Sequence, residues 1–164
     1  EDRCVWGASK SATVAETGTM GHQRKLGKLG FLQGRIVKAR VSEWIKQYAI
    51  KAGSPDNETQ NLSGGNLQKL IVAREIAQQT PFLIAAEPTR GVDIGAMETI
   101  HEQLLRKRDA GGAILLVSSE LSEILKLSDR ILVMYEGKIV GELQEGDATE
   151  EKLSLLMVGG KRNG

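Results

Sequence analysis

Leu62-Ser63-Gly64-Gly65-Asn66-Leu67-Gln68-Lys69 opens the stretch that decides the fold, and Phe82-Leu83-Ile84-Ala85-Ala86-Glu87-Pro88-Thr89-Arg90-Gly91-Val92-Asp93 closes it. The first segment is a Ser-Gly-Gly turn that runs directly into a helix from about Asn66 to Gln79. Leu67, Leu70, Ile71, Arg74 and Ala77 fall on one mostly apolar face of that helix. Its leading N–H groups lack intrahelical acceptors, and the macrodipole is positive there. Gly64 and Gly65 let an anion approach the backbone, and Ser63 adds a hydroxyl, so the turn has the makings of a phosphate site. Taken alone, those three residues read first as an N-cap and turn with no ligand. The second segment changes the balance. Phe82–Ala86 is an uninterrupted apolar run, which predicts a strand coated on both faces. Glu87 follows it at the strand end where α/β sheets bind ligands, and a carboxylate there can polarise an attacking water.

Outward from this stretch the pattern stays α/β. Met97, Ile100, Leu104 and Leu105 mark a helix that ends near Gly111-Gly112, and Ala113–Val117 reads as a second buried strand. Leu121, Ile124 and Leu125 mark another helix. Ile131–Tyr135, Glu136-Gly137 and Lys138–Leu143 read as a hairpin, and Asp147-Ala148-Thr149-Glu150 opens a last helix with capping chemistry. Alternating strands and helices imply a parallel sheet with right-handed crossovers. Upstream, Val41, Trp44, Ile45, Tyr48 and Ala52 predict a helix over 36–52, ended by Gly53-Ser54-Pro55-Asp56-Asn57. Trp44 and Tyr48 belong to its core face. Residues 7–34 are rich in glycine, Ser/Thr and basic residues and read mostly as loop with one short helix. The domains expected are 1–79, helical and carrying the Ser-Gly-Gly turn, and 80–164, the sheet with its hairpin and terminal helix.

Composition narrows the function classes. The 164 residues carry 22 Lys+Arg against 21 Asp+Glu, a formal net charge of +1, which is not the strong basic excess of a dedicated nucleic-acid binder. One cysteine, Cys4, makes no intrachain disulfide, and nothing suggests an oxidising compartment. His22 and His101 are isolated and no metal-ligand spacing is present, so no metal-binding residues are assigned. Ile114–Val117 and Ile131–Tyr135, the longest apolar runs, are too short to span a bilayer.

Order and spacing together resemble the ATP-binding subunits of ABC transporters, from about Leu62 to Leu143. Leu62-Ser63-Gly64-Gly65-Asn66 resembles the family's signature motif, Phe82–Glu87 its Walker B strand with the following glutamate, and Gly91-Val92-Asp93 its D-loop. Ser119 stands where the family usually has its switch histidine. Glu1-Asp2-Arg3 resembles the Pro-Glu-Asp-Arg stretch that replaces the Q-loop in one branch. Pro88–Ala96 and Val117–Leu121 resemble the C-terminal nucleotide-binding domain of importers for simple sugars, and Ala85-Ala86 resembles the related nucleoside-uptake ATPases.

The resemblance implies a partial P-loop NTPase fold: a helical, signature-bearing subdomain plus the C-terminal part of the parallel-sheet core. It implies Glu87 and Ser119 as catalytic residues, and Leu62, Ser63, Gly64, Gly65, Asn66, Gln68 and Asp93 at bound ATP. Mg²⁺ would be held mainly by a partner domain, the first nucleotide-binding domain of the same or another chain. Transmembrane permease subunits would be the other partners, and the place of work the cytoplasmic face of the membrane. The expected extent is from the Q-loop region to the end of the second domain.

Several positions depart from the family. Ala86 stands where it usually has an aspartate that helps hold Mg²⁺. Ser119 carries no charge. Gly-x4-Gly-Lys-Ser/Thr has no match, since Gly21 to Gly27-Lys28-Leu29 has one spacer too many and Gly159-Gly160-Lys161 lies in the C-terminal tail. The expectation is therefore a chain that completes a partner's ATP site and does not hydrolyse ATP alone. Its rivals are a regulatory domain that only pairs with an active ATPase, and a non-transport ABC protein of translation or DNA repair. The last is disfavoured by the charge balance. A sheet without its first strands also predicts exposed apolar residues and self-association.

Overall fold

The computed structural model describes residues 7–22, 27–28 and 31–159. Glu1-Asp2-Arg3, Cys4, part of the basic run over 23–28 and Gly160-Lys161 lie outside the described residues. The chain divides into two compact units, one of residues 1–83 and 88–114, the other of 84–87 and 115–164.

In the first unit, helix α1 (Val14–Thr19) starts on a capping box. The Thr13 hydroxyl accepts from the Glu16 N–H at 3.1 Å, and the Glu16 carboxylate accepts from the Thr13 N–H at 2.7 Å. Two short strands, β1 (Gly27–Lys28) and β2 (Phe31–Leu32), pair antiparallel. Helix α2 spans Gly34–Gln47, not 36–52. It stops because Ala49 takes a left-handed φ of 47° and the Ile50 N–H turns back to the Ile45 carbonyl at 2.9 Å. Tyr48, Ile50 and Ala52 stay buried beyond the helix end, so the apolar pattern marked a core and overstated the helix.

Helix α3 (Gly64–Ala77) supplies Leu70 and Ala73 to a core shared with Val14, Val41, Trp44, Tyr48, Ile50 and Ala52. Arg74 lies among these helices with its charge satisfied. Its guanidinium donates to the Gly7 carbonyl at 2.8 Å and pairs with Glu75 at 2.8 Å. The same residue's carbonyl bonds His22 Nε2 at 2.9 Å, and the His22 ring meets Trp44 edge-on, centroids 5.6 Å apart.

Strands β3 (Phe82–Ala86) and β4 (Ala113–Val117) pair with each other, joined through helix α4 (Ile94–Asp109). The Ala113 N–H bonds the Pro81 carbonyl at 2.8 Å and the Glu87 N–H bonds the Val117 carbonyl at 2.7 Å, so the strands run parallel. Both strands fall where expected, but neither is coated on both faces. Phe82 is 50%, Ile84 61%, Leu115 49% and Val117 51% exposed. A two-stranded pair leaves one face of the pleat uncovered, and alternate residues stand on it.

The second unit continues through helix α5 (Leu121–Leu127), the hairpin of β5 (Arg130–Tyr135) and β6 (Lys138–Gln144), and helix α6 (Glu150–Met157), capped by the Thr149 hydroxyl. Ile131, Val133, Leu143, Leu153 and Leu156 form its core, with Leu121, Ile124 and Leu125 packed against it.

Candidate functional site

The signature turn lies wholly in the first unit. Ser63 is the N-cap of α3, its hydroxyl oxygen accepting from the Asn66 N–H at 3.4 Å and from Asn66 Nδ2 at 2.8 Å. Both bonds use the oxygen as acceptor, which leaves the Ser63 hydroxyl proton to donate outward. Ser63 and Gly64 are exposed. Among the described residues, the Gly64 and Gly65 N–H groups have no protein acceptor. A hydroxyl and two backbone donors therefore stand at the positive end of a 14-residue helix, an arrangement that fits a phosphate oxygen.

The glycines differ in purpose. A Cβ on Gly64 would meet nothing within 4 Å, whereas one on Gly65 would lie 3.1 Å from Asp93 Oδ2 and 3.4 Å from Ala96 Cβ. Gly64 is open to an incoming group. Gly65 is where α3 packs against the start of α4.

Asp93 caps α4, its carboxylate accepting from the Ala96 N–H at 2.9 Å. That bond, aided by the Lys69 charge and working against desolvation, holds the carboxyl below the usual range. Leu62 turns inward and packs on the core of α1, α2 and α3. Gln68, also expected at the nucleotide, is buried, and its amide donates to the Pro88 carbonyl at 2.6 Å. Lys69 is buried too and donates to the Ala49 carbonyl at 3.0 Å. Asn66 Oδ1 accepts from the Lys51 N–H at 2.8 Å. The roles of Lys51 and Lys69 have no motif signal, because the groups they meet are a side-chain amide and a backbone carbonyl remote in sequence.

Glu87 and Ser119 come together in the second unit, through the backbone of Ser119. The Ser119 N–H donates to Glu87 Oε1 at 2.9 Å. Glu87 takes a left-handed φ of 47°, uncommon for a residue with a side chain, and is held there by its own N–H on Val117. The Ser119 side chain is exposed. One carboxylate oxygen of Glu87 is thus committed to the end of β4 and the other is left.

Among the described residues, the end of β3 does not by itself present a Mg²⁺ ligand set. Ala86 brings no oxygen donor on its side chain, Glu87 is partly engaged, and among the described residues no three His, Cys, Asp or Glu side chains converge. No described helix is long and apolar enough to cross a membrane.

No protein-family profile matches the chain. It is 40% identical over 165 residues to the nucleoside import ATP-binding protein NupA of Lactococcus lactis subsp. cremoris, covering 99% of this chain and 33% of that protein. The guanosine import ATP-binding protein NupO of Bacillus subtilis is 42% identical over 149 residues, 87% of this chain and 29% of that protein. The ribose import ATP-binding protein RbsA of Streptococcus agalactiae is 41% identical over 161 residues, 98% and 33%. The chain thus spans about a third of the length of these relatives. Among solved structures, an ATP-binding cassette dimer in a post-hydrolysis state with ADP and Pi matches with a TM-score of 0.72 at 22% identity, over 84% of this chain and 59% of that one. A metal-chelate type ABC transporter in an inward-facing conformation matches with 0.72 at 13%, over 91% and 59%.

Proposed function

We propose, for a chain homologous to sugar- and nucleoside-import ATP-binding proteins and folded as part of an ABC ATPase domain, that it serves as the signature-bearing part of an importer's ATP-binding subunit. ATP bound by a partner nucleotide-binding domain is closed over by Ser63, Gly64, Gly65 and Asn66. The carrying observation is the outward pair of donors at the start of α3, the Ser63 hydroxyl, oriented by Asn66, beside the Gly64 N–H, with the Gly65 N–H behind them. Donors fixed by the fold before the ligand arrives cost little reorganisation and stabilise charge on a phosphate where it is greatest. Mg²⁺ neutralises the phosphates when bound, on residues of the partner. Transmembrane permease subunits are the proposed membrane partners, with the chain peripheral on the cytoplasmic face and no nucleic acid involved. The cargo is a simple sugar or a nucleoside, bound on other subunits.

Ser63→Arg in the complete transporter tests this. The long cation fills the space of the phosphate, so ATP-driven uptake is lost; uptake at the normal rate would refute the assignment. Ala86 favours a second reading, in which the domain pairs with and regulates an active ATPase without hydrolysing ATP at its own strand end. Glu87→Gln in the complete subunit tests whether this strand end hydrolyses ATP. Little change in hydrolysis means that Glu87 is silent, and near-complete loss means that it is a working base and overturns the second reading.

A further inference from the structure

We propose that Gln68 is a positioning residue that fixes the signature turn to the Pro88–Asp93 loop, so that the two move as one body. The inference rests on the function proposed above. Gln68 is 7% exposed and its Nε2 donates to the Pro88 carbonyl at 2.6 Å, so its amide faces away from the surface that Ser63 and Gly64 present. Three polar side chains within the first two turns of α3 each grip the backbone of a loop. Asn66 Oδ1 takes the Lys51 N–H, Gln68 holds the Pro88 carbonyl, and Lys69 holds the Ala49 carbonyl. Gly65 adds close packing on Asp93 and Ala96. The loops at 49–51 and 88–93 are thereby tied to the start of α3, the Gln68 bond buried, the Lys69 bond half-buried and the Asn66 bond exposed, and the buried one is the costliest to leave unmade.

Direction matters here. Asn66 and Lys69 tie α3 back to the loop that follows α2, within the helical part of the chain. Gln68 alone among the three reaches the segment that leaves β3 and leads to Asp93. A shift of the Pro88 carbonyl therefore pulls on Gln68, and the Ser63 hydroxyl and Gly64 N–H, on the adjoining turn of the same helix, move with it. Placement errors well under the length of a bond-making contact already slow a positioned reaction, because donors must meet the phosphate oxygen at 2.7–3.1 Å, roughly.

The test uses the complete subunit in its assembled transporter, with Gln68→Met, close in volume and without the donor, and Gln68→Glu, which sets an acceptor against the Pro88 carbonyl. ATP hydrolysis is measured across ATP concentration, with melting temperature and a Ser63→Arg control. Both Gln68 variants are expected to lose about tenfold in kcat with KM for ATP within about twofold, since the nucleotide is held mainly by the partner domain. The Gln68→Met melting temperature is expected within about 4 °C of the unmodified subunit, while Gln68→Glu, which buries an unpaired charge, melts lower. Ser63→Arg inactive with both Gln68 variants at normal kcat overturns this proposal and leaves the signature assignment standing. In Gln68→Met, a fall in kcat matched by a rise in KM and a larger loss of melting temperature also overturns it, as a purely structural role. Ser63→Arg fully active overturns the functional reading itself, and this inference with it.

Discussion

Two neighbouring glycines are expected to respond in opposite ways to the same added methyl. In Gly65→Ala the new Cβ lies 3.1 Å from Asp93 Oδ2, 3.4 Å from Ala96 Cβ and 3.8 Å from Val92 Cβ. Comfortable separation between carbons is about 3.5–4.0 Å. The methyl is therefore short of space by a few tenths of an ångström on two sides, against a carboxylate held by its own capping bond and a backbone-fixed methyl. Over-packing of this kind costs roughly 1–3 kcal/mol, and replacing glycine inside a helix returns roughly 0.5–1 kcal/mol. The net is a loss of about 1 kcal/mol, a fall of about 2 °C or less in the melting temperature of the longer complete subunit. In Gly64→Ala nothing lies within 4 Å, so only the gain in helix propensity acts and the melting temperature holds or rises. Activity is expected to invert this order. The Gly64 methyl stands where a phosphate must approach and lowers ATP hydrolysis by about tenfold or more, while Gly65→Ala acts only through displacement of the turn. Scanning calorimetry and ATP hydrolysis on the complete subunit read both. Equal destabilisation by the two variants, or Gly64→Ala with normal hydrolysis, would refute the division of the turn into an outer and an inner glycine.

Four further outcomes follow from the packing. Trp44→Ala empties the centre of the first core and is expected to cost about 3–5 kcal/mol in urea unfolding; a loss below about 1 kcal/mol would place Trp44 outside that core. Thr149→Ala removes the cap on α6, where the Lys152 N–H bonds the Thr149 hydroxyl at 3.3 Å, at a cost of about 1 kcal/mol; an unchanged melting curve would mean the cap contributes nothing. The isolated chain is expected to self-associate through its uncovered strand face, and Leu115→Lys with Val117→Lys to shift sedimentation toward monomer; undiminished association would point to another surface. Glu16 is held below the ordinary 4.5 first by the Thr13 N–H and then by the Thr13 hydroxyl. A carboxyl lowered on folding contributes stability above its unfolded value and loses it as pH falls through the folded one. Glu16→Gln should flatten the stability profile below about pH 4.5, and an unchanged slope in acid would rule out this contribution.

What could be read without coordinates was whatever has a local cause. The strands Phe82–Ala86 and Ala113–Val117 and the hairpin around Glu136-Gly137 are continuous apolar runs or turn chemistry, and they stand where expected. Helix α2 fell short because Tyr48, Ile50 and Ala52 keep an apolar pattern through a segment that has already left the helix at Ala49. Exposed apolar residues on these two strands are as expected, with Phe82, Ile84, Leu115 and Val117 carrying them, whereas burial on both faces does not hold, because burial depends on neighbours that a two-stranded pair does not have. In the signature turn, Ser63 as N-cap was legible from residue type. The inward direction of Gln68 and Lys69 was not, since both end on backbone carbonyls that carry no sequence signal.

The first turns of α3 therefore hold two kinds of polar residue that a motif alone cannot separate. Ser63 and Gly64 face solvent, and a change there leaves the fold's own contacts nearly intact. Gly65, Gln68 and Lys69 face the protein, and a change there alters where Ser63 stands. The Glu87 end of β3 is built differently. Its carboxylate is bonded to the Ser119 N–H and its backbone is held at positive φ, while the neighbouring Ala86 adds no charge. Ala86 is exposed, so an aspartate fits at that position without displacing a neighbour. If the missing carboxylate is what limits this strand end, Ala86→Asp in the complete subunit raises Mg²⁺-dependent hydrolysis, and the rise disappears when Glu87→Gln is added. Hydrolysis that stays flat in Ala86→Asp would assign the limit to the committed geometry of Glu87, whose single unbonded oxygen must otherwise orient the attacking water.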